Sequence, residues 1–222
     1  MLSQINKKIY LIGVDSSDFL NCTLQSIEKI YDSNSLIISK KFNSQYIKFL
    51  EHDNRKIFIE ENLSKKKGTF LWIKILKLLD NSNIIAHLIN GDPFTEKAAI
   101  EEYDFFKKKG IHCEVIPGVI TFIDRLNKGS NFLTDREKNS SATIINEYCK
   151  KKVTRLISNL FFEKLIILLK SKNQYNEILM MIKKRFPKNK LKINVVSRNK
   201  TQKQKSTSHM FQDSYIIIEN NE

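Results

Sequence analysis

One strand–turn–helix–strand segment near the middle of the chain constrains the fold most. An apolar run at residues 84–89 ends at the turn formers Asn90-Gly91-Asp92-Pro93, and the mixed pattern that follows predicts a helix ending at Lys109. A second apolar run, residues 113–116, ends at Pro117-Gly118. Two strands joined by one helix lie parallel in a sheet, so both turns meet at its carboxyl end. We therefore predict an α/β fold with a candidate site where these turns converge.

The turn after the first of these strands is suited to hold a ligand. Backbone amides at a tight glycine turn and at a helix start can bind a carboxylate or a ribose. Asp92 stands where it caps the helix or contacts a ligand, and one side chain can do both. The turn by itself leaves the two roles open.

Further apolar runs predict the other elements of the fold. The helix that follows the first strand is predicted to begin at Cys22, with Asp18 or Asn21 as its cap. Trp72 lies in a helix that is apolar on most faces, and we expect it in the core. The remaining predicted strands are 9–13, 35–38, 57–59, 164–169 and 214–219, and the remaining predicted helices are 22–30, 70–79 and 176–185.

The size and hydropathy of the chain indicate a globular protein. It has 222 residues, of which 41% are hydrophobic, enough to bury a core. No apolar run reaches the length that crosses a bilayer, and the run after Lys8 is too short for a signal peptide. These features predict a cytoplasmic protein with no membrane partner.

The cysteines and histidines show no metal-site spacing. Cys22, Cys113 and Cys149 are odd in number and far apart, so neither a disulfide framework nor a CxxC site is indicated. The four histidines are also scattered, and each is interpreted as a surface or packing residue. We therefore predict no metal.

The formal charge of +14 raises nucleic acid as a possible partner. The basic residues are widely dispersed, however, and dispersed charge is typical of a solvated surface. We therefore do not expect nucleic acid to be the partner. The segment 198–205, RNKTQKQK, is dense enough to bind an anion, either phosphate or a polycarboxylate.

The motifs of the central segment resemble those of the uroporphyrinogen-III C-methyltransferases. The shared residues are NGDPF at 90–94, Glu101-Glu102, and EVIPGV at 114–119, at matching spacing and without a gap. Residues 133–145 and 193–205 resemble later motifs of that family, so the resemblance extends from about Ile9 to Glu219. The family belongs to the tetrapyrrole methylases, which use S-adenosylmethionine.

This resemblance implies a fold, an assembly and a set of contacts. It implies two α/β domains, residues 1–118 and 119–222, with S-adenosylmethionine in the cleft between them, and a homodimer. It also implies the residues that contact the cofactor, which are Asn90, Gly91, Asp92, Ile120, Thr121 and Leu169.

Several motifs of the resembling family are replaced in this chain. Asp15-Ser16-Ser17 stand in place of its Gly-Pro-Gly loop, and Ser39 stands in place of an aspartate proposed as the catalytic base. Residues 60–62, Glu-Glu-Asn, stand where the family has a Lys-Arg pair. A serine hydroxyl does not take a proton near neutral pH without an activating partner. The sequence therefore offers no candidate for the base.

Two functions follow from these observations. The first is C-methylation of a tetrapyrrole, uroporphyrinogen III, with S-adenosylmethionine as the methyl donor. The second is a non-catalytic protein that keeps the tetrapyrrole methylase fold for binding or assembly, and the replaced motifs favour it. An RNA-binding module has only the basic charge in its favour.

Overall fold

The chain forms two compact units, residues 1–121 and 122–222. The structure is a computed structural model, and it describes residues 7–16, 18–51, 55–120, 123, 126, 133–134, 141–146, 148–159, 162–186, 191–196 and 214–220. Each unit contains its own sheet, which confirms the predicted α/β fold with a parallel sheet and a second sheet.

The first unit is built on five parallel strands. Their order across the sheet is β3-β2-β4-β1-β5. The strands are β1 (Lys8–Val14), β2 (Ser35–Ile38), β3 (Lys56–Ile59), β4 (Ile84–Asn90) and β5 (His112–Ile116). They are nearly continuous apolar runs, as expected for strands that are covered on both faces.

In the described residues of this unit, α-helices accompany the sheet. They are α1 (Leu24–Tyr31), α2 (Ser44–Leu50), α3 (Glu60–Leu63), α4 (Thr69–Leu78) and α5 (Lys97–Lys108). The side chains of α1 and α2 pack with Tyr10, Ile12 and Leu88 in one apolar core. Those of α4 and α5, Trp72 among them, pack with Leu11 and Ile85 in another. The alternation of side chains along each strand supplies both layers.

The strand order reverses direction between β4 and β1. From β1 the chain crosses to β2 on one side, whereas from β4 it crosses to β5 on the other side. In open α/β sheets such a reversal leaves a crevice at the carboxyl ends of the two central strands, where ligands bind. The turns predicted as a site lie at this position.

The first helix begins later than predicted. Thr23, and neither Asp18 nor Asn21, is its cap, because the Thr23 hydroxyl accepts a hydrogen bond from the Ser26 N–H. Asp18 instead caps the short 3-10 helix Phe19–Asn21. Both side chains have the chemistry of a cap, and the sequence does not reveal that two helical turns follow each other here.

The second unit contains a mixed four-stranded sheet in the order β6-β7-β9-β8. Strands β6 and β7 are parallel, and β9 is antiparallel to both β7 and β8. Its strands are β6 (Ala142–Ile145), β7 (Lys164–Leu169), β8 (Leu191–Val196) and β9 (Ser214–Asn220), and its helices are α6 (Lys150–Asn159) and α7 (Lys172–Arg185). Both helices contribute apolar side chains to one core with the sheet.

The structure bears on the cysteines, on membrane spans, on metal sites and on the basic segment that the sequence singled out. Cys22, Cys113 and Cys149 are free thiols. Within the described ranges, no helix is both long enough and apolar enough to cross a membrane. The same ranges contain no group of three or more His, Cys, Asp or Glu side chains arranged to hold a metal ion. The basic segment 198–205 lies outside the described residues.

Candidate functional site

Three strand-end glycines pack against one another at the reversal of the sheet. A Cβ atom on Gly13 would lie 2.4 Å from the Gly118 nitrogen and 2.5 Å from the Gly91 oxygen. A Cβ atom on Gly118 would lie 2.3 Å from the same Gly91 oxygen. Gly91 itself has a φ of 90°, which favours glycine. We call Gly13, Gly91 and Gly118 the glycine cluster, and it brings the ends of β1, β4 and β5 into backbone contact.

Asp92 fastens the turn after β4 to the turn after β5. Its Oδ1 accepts a hydrogen bond from the Phe94 N–H at 2.7 Å, which caps the short helix Pro93–Thr95. Its Oδ2 accepts one from the Gly118 N–H at 3.2 Å. A carboxylate has about four acceptor positions, so both bonds leave acceptor capacity for a hydroxyl group.

Several backbone amides of these turns have hydrogen-bond partners within the protein. The Gly91 N–H donates to the Val14 carbonyl at 2.7 Å, and the Thr95 N–H donates to the Asp92 carbonyl at 3.0 Å. Together with the two amides bonded to Asp92, these groups are used to fix the turns. These four amides are therefore engaged within the protein, whereas the Asp92 carboxylate keeps acceptor capacity for a ligand.

Asn90 holds the loop after β1. Its Oδ1 accepts a hydrogen bond from the Ser16 N–H at 2.9 Å, and the Ser16 carbonyl in turn accepts one from the Asn43 N–H at 3.0 Å. Ser16 is buried. The loop that lacks the expected glycines is thus anchored to β4 and to the start of α2.

The structure gives less information about the other predicted cofactor contacts, Ile120, Thr121 and Leu169. Ile120 follows β5 and is partly buried, and Thr121 lies outside the described residues. Leu169 is the last residue of β7, and its side chain is fully buried in the core of the second unit. A role for these three residues in holding a cofactor stays a prediction.

A cavity of about 290 Å³ opens beside the glycine cluster, within the first unit. It shares Asn90 and Ser16 with the turns described above, and it lies at the carboxyl ends of β2, β3 and β4. Its polar lining residues are Ser16, Ser39, Lys41, Glu60, Lys67, His87, Asn90, Glu96 and Glu102, and its apolar ones include Phe42, Leu71, Trp72 and Leu88.

A histidine held between two carboxylates forms one wall of this cavity. His87 is 5% exposed; its Nδ1 lies 2.8 Å from Glu102 Oε1 and its Nε2 lies 3.1 Å from Glu60 Oε1. Burial lowers the pKa of His87, but the two carboxylates outweigh it and raise the pKa to about 10. The imidazole is therefore protonated at neutral pH and donates to both carboxylates. We call Glu60, His87 and Glu102 the carboxylate–histidine cluster.

Three separate elements supply this cluster, and sequence reasoning missed it. His87 lies within the otherwise apolar β4, Glu102 lies on α5, and Glu60 directly follows β3. His87 was interpreted as a surface or packing residue. The available signal was a histidine in the middle of a buried apolar run, because a buried polar group needs a partner.

Ser39 and Glu61 form a hydrogen-bonded pair nearby. The Ser39 hydroxyl donates to Glu61 Oε1 at 3.1 Å, and the Lys40 N–H donates to Glu61 Oε2 at 3.0 Å. Partial burial raises the pKa of Glu61, but these hydrogen bonds lower it more, so it lies below the usual range. Glu61 is therefore a weak base, engaged in fixing the Ser39 loop.

The fold and its strand-end turns define an α/β protein with a ligand crevice at the switch point of a parallel sheet. The family model for the tetrapyrrole (corrin/porphyrin) methylases matches residues 8–210, and the chain belongs to that family. The recognition made from the sequence motifs is thereby confirmed for a divergent member.

Curated relatives are similar to this chain at low identity. Siroheme synthase of Photorhabdus laumondii is 24% identical over 159 residues, 69% of this chain and 33% of that protein. Uroporphyrinogen-III C-methyltransferase of Priestia megaterium is 23% identical over 140 residues, 62% of this chain and 59% of that protein. The matches thus span about a third to three fifths of the length of these relatives.

Solved structures share the fold over nearly the whole chain. A cobalt precorrin-4 methyltransferase of cobalamin biosynthesis has a TM-score of 0.76 and 13% identity, with 96% of this chain and 94% of that chain covered. Uroporphyrin-III C-methyltransferase of Thermus thermophilus, complexed with S-adenosylhomocysteine, has a TM-score of 0.68 and 16% identity, with 96% and 97% covered. The family is thus one of S-adenosylmethionine-dependent methyltransferases.

Proposed function

We propose that this chain is an S-adenosylmethionine-dependent methyltransferase that acts on a tetrapyrrole, with uroporphyrinogen III as substrate, in the branch that leads to siroheme and cobalamin. The observation that carries the proposal is the glycine cluster at the reversal of the sheet, with Asp92 fastening two of its turns. Membership of the tetrapyrrole methylases supplies the reaction class.

The residues at these turns fit a nucleoside cofactor. The glycine cluster fixes the spacing of the three strand-end turns by backbone contact, and Asp92 keeps acceptor capacity for ribose hydroxyls. In the proposal Asn90, Gly91 and Asp92 hold the cofactor with Ile120, Thr121 and Leu169. The bound cofactor supplies a methyl group on a sulfonium sulfur.

The adjacent cavity is the proposed place for part of the tetrapyrrole. Lys41 and Lys67 line it and suit the carboxylate side chains of such a substrate. Apolar walls that include Phe42 and Trp72 suit contact with a pyrrole ring. Alignment and desolvation supply much of the rate in a methyl displacement, so a binding cavity of this kind contributes directly to catalysis.

The proposal includes an assembly and a compartment. We propose a homodimer in the cytoplasm, with functional domains that divide after Gly118. The match to the tetrapyrrole methylase family across residues 8–210 supports this arrangement. Sedimentation of the purified chain checks the dimer.

Calorimetry tests the proposed function. Titration of the full chain with S-adenosylhomocysteine and with S-adenosylmethionine is expected to show saturable binding. Transfer of a labelled methyl group to uroporphyrinogen III, kept under anaerobic conditions, is then expected. Absence of cofactor binding by a folded chain would overturn the proposal.

A non-catalytic role is the second candidate, and one observation favours it. At the position expected for the base, Ser39 is tied to Glu61, and the family's Lys-Arg pair is replaced by acidic residues. Cofactor binding without any methyl transfer, to uroporphyrinogen III or to other tetrapyrroles, would favour this binding role over the enzyme.

A further inference from the structure

The carboxylate–histidine cluster is a buried group of charged side chains that has no role in the proposed binding of cofactor and substrate. Its three side chains come from β4, α5 and the end of β3, and all of them line the cavity. Buried charges are costly unless paired, so a packing role would be filled at lower cost by apolar residues. The surrounding sheet face is apolar, with Ile85 and Ile37 on it.

The cluster carries a net negative charge on its cavity side. The imidazolium holds one positive charge between two carboxylates, and His87 and Glu102 are both buried. Glu60 is the most accessible member, with its side chain 15% exposed. Glu60 therefore presents a carboxylate to the cavity, in an orientation fixed from behind by His87.

We propose that Glu60 accepts the proton that leaves the tetrapyrrole after methyl transfer, and that His87 and Glu102 position it. This inference rests on the proposed function. Glu60 is then the catalytic residue, since it contacts the substrate, whereas His87 and Glu102 act through it. The role is one that the sequence left without a candidate.

The step balances without any further reactant. A carbon–carbon bond forms between the methyl group and the ring carbon as the methyl–sulfur bond breaks, and the sulfur keeps that electron pair. A carbon–hydrogen bond of the tetrapyrrole then breaks, its electrons restore neutrality to the ring system, and the proton goes to Glu60 Oε2. Glu60 Oε1 meanwhile keeps its hydrogen bond from His87. The proton afterwards passes to water.

Two neighbouring carboxylates serve as comparisons for Glu60. Glu61 has both oxygens bonded to the Ser39 loop, which lowers its pKa, and it is absent from the residues that line the cavity among those described. Glu101 is an exposed residue of α5 that pairs with Lys97. Neither is placed to receive a proton from a molecule in the cavity.

The test is methyl transfer by the full chain and four variants. Glu60→Gln is expected to lower kcat by about 100-fold or more, with cofactor affinity unchanged, because a neutral amide still accepts the bond from His87 but takes no proton. Glu60→Asp, which withdraws the carboxylate by one methylene, is expected to lose less. Glu61→Gln and Glu101→Gln are expected to retain the wild-type rate.

A split between kcat and KM tests the positioning role of His87. In His87→Gln the group that orients Glu60 is changed, so kcat is expected to fall while the KM for the tetrapyrrole and the affinity for S-adenosylhomocysteine stay close to those of the wild type. A wild-type kcat in a folded variant would show that His87 is only structural.

The outcomes separate this inference from the proposed function. Wild-type turnover with an equally active Glu60→Gln variant overturns the inference alone. No turnover by the wild type overturns the proposed function and the inference with it. Thermal unfolding shows whether Glu60→Gln folds. If it does not fold, the Glu60→Asp variant is measured instead, and a wild-type rate of methyl transfer in that variant would overturn the inference.

Discussion

The glycine cluster and the carboxylate–histidine cluster lie side by side at the same end of one sheet, yet they are built differently. The first is made of backbone atoms that meet where any side chain would collide, and Asp92 fastens it. The second is made of three charged side chains from three elements. Gly91, Gly118 and Glu102 belong to the motifs that resemble the family, whereas Glu60 stands where the family has a basic residue.

This difference shows which part of such a site is free to change. At Gly13 and Gly118 a larger residue would place its Cβ against main-chain atoms of other strands, so any substitution there requires those strands to shift. A side-chain cluster admits exchange if its charges remain paired, since the fold requires only that buried charges be balanced. Backbone packing therefore fixes the shape of the turns, while paired side chains set the chemistry beside them.

The largest loss of stability is expected from removing the charge of His87 at the centre of the carboxylate–histidine cluster. His87→Leu leaves the buried Glu102 carboxylate without its partner, and it should lower the free energy of unfolding by about 3–5 kcal/mol. Urea denaturation measures this loss. His112→Leu, at an exposed position of β5, is the control and should change little. Recovery of stability in the double variant His87→Leu/Glu102→Leu would show that the loss comes from the unpaired charge.

The same cluster predicts a pH dependence of stability. Because the pKa of His87 is about 10 in the folded chain and about 6.5 as a reference, the folded state holds the proton more tightly. The stabilisation is therefore complete below pH 6.5 and is lost as pH rises towards about 10. Thermal unfolding between pH 7 and pH 9.5 should show a fall in the wild type. The fall should be smaller in His87→Gln, which retains the facing Glu60, Glu102 and Cys113.

A smaller loss of unfolding free energy is expected from a substitution in the glycine cluster. Gly118→Ala places a Cβ against the Gly91 oxygen and should cost about 1–3 kcal/mol by overpacking. Gly68→Ala is the matched control: its Cβ meets no atom within 4 Å, and its cost of about 1 kcal/mol comes from a φ of 69°. Equal losses in the two variants would show that the glycine cluster is not a steric contact.

Asp92 is expected to affect binding more than stability. Asp92→Ala removes one cap and one link between turns, so its cost in unfolding free energy should be about 1 kcal/mol, similar to Asp18→Ala at the other short helix. The affinity for S-adenosylhomocysteine, measured by calorimetry, should fall clearly in Asp92→Ala and not in Asp18→Ala. Unchanged affinity with a large loss of stability would show that Asp92 is only a cap.

The sheet could be predicted from the sequence because its signal is local. Strands β2 and β7 have the bounds that their apolar runs indicate, and α5 ends at Lys108, one residue before the predicted end at Lys109. The start of α1 was wrong by two residues, because Asp18 and Thr23 are both good caps and only the backbone decides between them.

The carboxylate–histidine cluster could not be predicted, because its signal is spread over 43 positions of the sequence. The three side chains meet only because the strand order places β2 between β3 and β4 and because α5 packs against the sheet. The roles of the turn amides likewise depend on which carbonyl lies opposite each N–H. Apolar periodicity carries no information about either.

The mutual contact of Gly13, Gly91 and Gly118 ties together positions that are 78 and 27 residues apart in the chain. A larger residue at Gly13 or Gly118 would push the ends of neighbouring strands apart. A single substitution at either position would therefore change the spacing of turns that belong to three separate parts of the sequence.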